Sequence, residues 1–209
     1  MKSVISRKIV LCVSLLMLMP ACALLDRAGG RGSGTPSVLT SPDGRFQLTV
    51  PGDWRKETEL NQQATIQASN RVRETYVVLL SESKGDFTDE MTLERFTKAT
   101  RDNMMAGVRS AESAEPTPTN ISGNPALQYE IRGGVEGLNI VYLITTVETP
   151  EHYHQIITWT LPSRLEQHRP TLLEVTRSFK ELRPAEGKQG TPSAPTPHSH
   201  APEPGASKP

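Results

Sequence analysis

Residues 126–132, 139–147 and 153–161 each read as a β-strand, and the links between them leave one way to pair. Gly133-Gly134 through Gly137 joins the first two stretches, and Pro150-Glu151 joins the next two. Parallel neighbours need a crossover of about a dozen residues or more, so these strands must run antiparallel, as hairpins. Upstream, Asp43-Gly44 signals a turn, and Phe46, Leu48 and Val50 alternate with Arg45, Gln47 and Thr49 before Pro51-Gly52 stops the strand. Residues 64–69 form a weaker strand. Residues 76–80 are apolar on both faces, as a covered central strand requires.

Two helices complete the pattern. Thr92 is placed to cap the first, which carries Leu93, Phe96, Thr100 and Met104 on one face and Arg95, Lys98, Arg101 and Asp102 on the other. Gly107 is expected to end it. Pro116–Pro118 and Gly123-Asn124-Pro125 read as turns. Ser163 and Glu166 fit a capping box, and Pro170 is expected to break that helix and restart it, with Leu172, Val175 and Phe179 on one face. The order βββ-α-βββ-α predicts an α+β domain: an antiparallel β-sheet flanked by helices.

The ends of the chain are different material. Lys2, Arg7 and Lys8 precede an apolar run, residues 9–19, then Pro20-Ala21. The run falls within the roughly 7–15 residues of a secretory signal core and short of the about 20 that span a bilayer. Apolar residues make up 35% of the chain, a low fraction, and the shortfall is concentrated at the two ends. Residues 23–37 are small, Gly-rich and polar, a flexible tether. Residues 184–209 are proline-rich with almost no apolar side chains; they are expected to stay disordered, with polyproline II character where prolines cluster. The organisation predicted is a signal peptide at 1–21, an anchor and tether at 22–38, one domain at 39–183 and a Pro-rich tail at 184–209.

Cys12 and Cys22 are the only cysteines. Cys12 leaves with the signal, so disulfides, cysteine nucleophiles and cysteine metal sites are excluded from the domain, which must be held by packing. Cleavage also removes three basic residues and no acid from a chain with 23 of each, which leaves three acids in excess. That is no footprint for nucleic acid or for an anionic membrane surface.

Met19-Pro20-Ala21-Cys22 resembles a bacterial lipobox, with Met19 where Leu is commoner. The resemblance implies cleavage before Cys22, diacylation of its thiol and acylation of the new amine by a palmitate-type chain. The membrane would then be a partner through these acyl chains. Ala23 follows, not Asp, and in a host with two membranes this implies the outer rather than the inner membrane.

The domain itself is similar to PsbP-like domains. "DGRFQLTVPGDW" at 43–54 matches their opening strand and Pro-Gly-x-Trp-type turn, with the Trp packed under the sheet. "VVLLSES" at 77–83 before a helix, "NPALQYEI" at 124–131 and "VTRSFK" at 175–180 in the closing helix agree in order. The resemblance implies an α/β/α sandwich over about residues 40–182. The family includes photosystem II extrinsic proteins and DcrB-like envelope lipoproteins. It implies an accessory or partner-binding module without a shared catalytic set, acting on an envelope protein that the sequence does not name.

Candidate sites are few. His152 and His154 lie two apart, on one strand face, and with Glu148 or Glu151 would supply ligands for a divalent ion. The alternative is an exposed sheet face carrying two ordinary histidines, and without a fixed third ligand it is the stronger reading. His198 and His200 are a second, weaker pair within the tail. Trp54 and Trp159 are expected in the core rather than as partner anchors. Arg71, Arg73 and Lys84 form either a basic edge or a solvated turn. His152, His154 and His168 have no Gly-x-Ser-x-Gly to serve, so a hydrolase is disfavoured, and the glycines at 30–34 lack a P-loop lysine. No cofactor is expected. The alternative to an accessory module is a lipoprotein that binds a small ligand or metal between sheet and helix.

Overall fold

The computed structural model describes residues 34–182. The signal segment, Cys22, most of the tether and the Pro-rich tail with His198 and His200 lie outside the described residues. Among the described residues, eleven strands and two α-helices follow in the order β1 (Ser37–Thr40), β2 (Phe46–Val50), β3 (Arg55–Lys56), β4 (Ile66–Asn70), β5 (Thr75–Ser83), α1 (Leu93–Gly107), β6 (Arg109–Ser113), β7 (Thr117–Ile121), β8 (Asn124–Val135), β9 (Leu138–Glu148), β10 (His152–Thr160), α2 (Leu165–Arg177) and β11 (Lys180–Glu181). An eight-stranded sheet runs β3-β4-β5-β10-β9-β8-β6, with β7 also on β8; a three-stranded sheet runs β1-β2-β11. Every pairing is antiparallel. The α+β expectation is met.

The large sheet buries both faces. On one, Val77 and Leu79 of β5, Ile156 of β10, and Val141 and Leu143 of β9 meet Phe46, Leu48 and Val50 of β2 and Leu165, Leu172 and Val175 of α2. On the other, Phe96 of α1 stacks on Tyr153 with centroids 4.9 Å apart, and Met104 and Met105 cover Tyr129, Ile131 and Ile144. Period-2 alternation in the strands and the 3.6-residue spacing of α1 thus serve two separate cores. Thr92 caps α1 as expected, its hydroxyl accepting from the Arg95 N–H.

Burial on the α1 face shows in the tyrosines. Tyr129 and Tyr142 are pushed up to about 12 by burial, and burial raises Tyr76 and Tyr153 as well. These are all four tyrosines of the chain. A phenol raised in the fold contributes stability that is complete below its unfolded value of about 10 and is lost as pH climbs toward the folded value. Tyrosinate absorbance should therefore lag in the folded protein and rise together with alkaline unfolding. Half the tyrosines ionised at about pH 10 in a still-folded chain would contradict this burial.

Several sequence expectations are corrected. Gly133 and Gly134 belong to β8; the turn is Glu136-Gly137, with φ of 49° and 86°, the left-handed pair of a tight hairpin. Pro118 stands inside β7, on a sheet edge where its missing N–H is harmless. Strands β6 and β7 escaped notice because they are mostly exposed and lack alternation. Ser37 and Val38, assigned to the tether, pair with β2. The Ser163 capping box does not form: a 3-10 turn, Pro162–Arg164, leads into α2 with no side-chain cap. Helix α2 also runs through Pro170. Pro170 is on the exposed side, and Leu165 and His168 before it share the buried face with Leu172 and Val175 after it. Docking of that face offsets the lost bond, which on its own costs about 3 kcal/mol. Phe179 lies beyond α2, not on it. Ser178 stops the helix by exchanging hydrogen bonds with the backbone of Thr49, 2.8 Å from its N–H and 3.1 Å from its carbonyl.

Candidate functional site

The hairpin from β9 to β10 sets the site. Thr149 closes it: its N–H donates to the His152 carbonyl at 2.9 Å and its hydroxyl to the same oxygen at 3.1 Å. From there β10 carries His152 and His154 on the face that β2 and β11 cover. His154 has no exposed surface and His152 is 6% exposed, so the expectation of an exposed sheet face is overturned. The Phe46 ring meets both imidazoles edge-on, at 5.3 and 5.0 Å, and Phe179 lies 4.7 Å from His154. The opposite face carries Tyr153, with its hydroxyl bonded to the Met91 carbonyl, and Trp159, stacked at 5.0 Å on Tyr76.

The third group is Glu181. Its Oε1 is 2.8 Å from His152 Nδ1 and its Oε2 is 3.7 Å from His154 Nε2. One donor atom from each of His152, His154 and Glu181 falls within 4.8 Å of the others. Neither acid favoured from sequence takes this place. Glu148 pairs with Lys84 at 2.6 Å, and Glu151 with Arg45 at 2.9 Å. Arg45 also reaches within 3.9 Å of Glu181 Oε1. Its Nε is buried without a hydrogen-bond partner. Glu181 stands 29 residues after His152, on a two-residue strand with no alternation to flag it. The one local cue is Phe179, an apolar residue after the helix that the chain must return to the core.

The hydrogen bonds define the resting state. His154 Nδ1 is 2.9 Å from the Ser81 hydroxyl and its Nε2 is 3.2 Å from that of Thr149. Burial lowers the His154 pKa, so this ring is neutral at physiological pH. Glu181 moves the other way. Burial opposes its ionisation, but hydrogen bonds with His154 and Thr149 outweigh it and bring it down to about 2. A carboxylate is thus held among imidazoles. Ser81, His154 and Glu181 have the residue types of a hydrolytic triad. However, His154 is fully enclosed and 3.7 Å from the carboxylate, so the group is packed rather than presented to a substrate.

The other candidates resolve individually. Trp54 is in the main core. Trp159 is buried as well. Arg71 binds Glu57 through two nitrogens, at 2.9 and 2.7 Å, and Arg73 pairs with Asp53, so the supposed basic edge is neutralised. His168 is buried on α2 with its Nε2 lacking a partner, and burial lowers its pKa.

No family model and no curated protein matches the chain. Solved structures do. Cyanobacterial PsbP (CyanoP) from Synechocystis sp. PCC 6803 aligns at TM-score 0.54 and 17% identity, over 76% of this chain and 99% of that one. LpqN of Mycobacterium tuberculosis, involved in cell envelope biogenesis, aligns at TM-score 0.53 and 12% identity, over 70% of this chain and 90% of its own. Among the described residues no helix is long and apolar enough to cross a membrane. Identities this low speak to architecture, and the antiparallel sheet with α1 on one face and α2 on the other has the PsbP-like fold.

Proposed function

We propose that this chain is a lipid-anchored envelope protein whose PsbP-like domain serves as a non-enzymatic accessory module for an envelope partner. The observation that carries the reading is Cys22, placed directly after a signal-type apolar run in Met19-Pro20-Ala21-Cys22. Supporting it, the domain contains no cysteine, and the enclosed histidine cluster offers no reacting group to a substrate. LpqN, which shares the architecture, is involved in cell envelope biogenesis, and that agrees with this compartment. The residue after Cys22 is Ala23, which favours the outer membrane in a two-membrane host. The tether after it would have an end-to-end reach of roughly 20 Å, enough to let the domain sample partners near the leaflet.

Anchoring is the point to test. Each buried methylene contributes about 0.8 kcal/mol, so several acyl chains hold durably where one chain alone is marginal. Cys22→Ser should lose both palmitate-analogue labelling and retention in the membrane fraction. A Ser variant that still takes label, or that still sediments with membranes, would overturn the lipoprotein reading. In a host with two membranes, sucrose-gradient separation should place the wild-type protein with outer-membrane markers. Cross-linking in intact envelopes followed by affinity capture should return a protein partner on the domain. Capture of none would argue against a partner-binding role.

A further inference from the structure

We propose that His152, His154 and Glu181 form a binding site for one divalent transition-metal ion of the zinc type. The site lies away from Cys22 and does not depend on acylation, so its test is separate from that of the anchor.

The donor set comes first. Two imidazoles and one carboxylate suit zinc or copper, whereas calcium and magnesium take oxygen ligands. In a tetrahedral zinc site with bonds of about 2.0–2.1 Å, ligand atoms stand about 3.3–3.4 Å apart. The observed separations, 2.8 Å for His152 Nδ1 to Glu181 Oε1 and 3.7 Å for His154 Nε2 to Glu181 Oε2, straddle that value. The widest donor separation is under 4.8 Å, so side-chain rotations of about an ångström complete the cage.

The surroundings fit as well. Ser81 Oγ stands 2.9 Å from His154 Nδ1, a partner for the tautomer that carries its proton on Nδ1 and offers the Nε2 lone pair to the metal, which would replace the 3.2 Å contact of Nε2 with the Thr149 hydroxyl. His152 reaches the metal through Nδ1 in the tautomer that carries its proton on Nε2. The fixed charges favour a cation: around the two imidazoles stand one guanidinium, Arg45, and two carboxylates, Glu151 and Glu181. Arg45 is turned to the rim by its 2.9 Å bond to Glu151, at 3.9 Å from Glu181. Phe46 and Phe179 wall the site with aromatic rings.

The site would also fasten the end of the domain. Strand β11 joins the small sheet through only two pairs, Lys180 with Gln47 and Glu181 with Phe46. A shared ion would tie it directly to β10 of the large sheet.

The tail pair His198 and His200 could take zinc independently, so the parent for the test is the full-length chain with His198→Ala and His200→Ala. Calorimetric titration with Zn2+ should give one equivalent, with a rise in the thermal midpoint and no competition from Ca2+. Glu181→Gln and His152→Asn should each weaken Zn2+ at least about tenfold. X-ray absorption of the zinc-loaded parent should show two imidazoles in the coordination shell, a readout that survives if either variant fails to fold. No zinc uptake by the parent would overturn the proposal. So would unchanged affinity in folded Glu181→Gln, or a shell without imidazole.

Discussion

Trp54→Ala is expected to destabilise the domain by about 3–5 kcal/mol, the range for truncating a large aromatic in a packed core. Trp54 is 6% exposed and belongs to the main cluster with Phe46, Leu48, Ile66, Val77 and Leu172. It is delivered there by a turn. The Trp54 N–H donates to the Pro51 carbonyl at 3.0 Å, folding the chain back between the end of β2 and β3. The indole thus belongs to the core that the small sheet, the large sheet and α2 share, where truncation leaves a cavity. Urea unfolding of the full chain measures the loss as a lower midpoint at unchanged slope. Wild-type emission should be blue-shifted and poorly quenched by iodide, because Trp159, the other tryptophan, is also buried against Tyr76. A loss under about 1 kcal/mol with ready quenching would put Trp54 at the surface and make it a binding anchor instead.

How much of this was legible beforehand depends on whether a residue obeys a period. Strands β8, β9 and β10 are long runs bounded by turn residues and helix α1 repeats cleanly, and the strand pairing follows from short links, so the sheet could be read from sequence. Thr92 was legible as a cap because capping is local chemistry. Strands β1, β6, β7 and β11 carry no period, since each lies at an edge or is mostly exposed, and their existence depends on what they pair with. Pro170 misled because local propensity argues for a break while burial on both sides of it holds the helix. The site was half legible for the same reason. His152 and His154 announce themselves by spacing, but which face of β10 is covered depends on β2 and β11, and nothing near position 152 points to Glu181. Glu148 and Glu151 were nearer in sequence and are taken by Lys84 and Arg45.

Gly133 tests whether the path from α1 into β6 is dictated by a missing side chain. Sequence alone assigns Gly133-Gly134 to a loop, yet both lie within β8, flanked by β9 and β6. The chain leaves α1 at Val108 and passes straight over Gly133. A Cβ there would lie 2.4 Å from Val108 Cγ1 and 2.8 Å from the Arg109 carbonyl oxygen, with the Ala111 Cα at 3.3 Å. Two of these neighbours are backbone and cannot swing aside. The register also shifts here, between Arg109 and Glu112, and Ser110 adopts a φ of 51°, so the backbone is already bent around this point. Gly133→Val should therefore cost about 3 kcal/mol, at the upper end of overpacking effects, even though valine is the better strand former. Gly134 is the internal control. A Cβ at Gly134 meets only the Arg109 side chain, at 3.1 Å and beyond, and that chain is long and can move. Gly134→Val should change stability by under about 1 kcal/mol. In Gly133→Val the amides of β6 should exchange faster than those of β9, because β6 is the strand displaced. Equal stability of the two variants would mean that β6 does not cross at Gly133, and that the edge of the sheet is built differently.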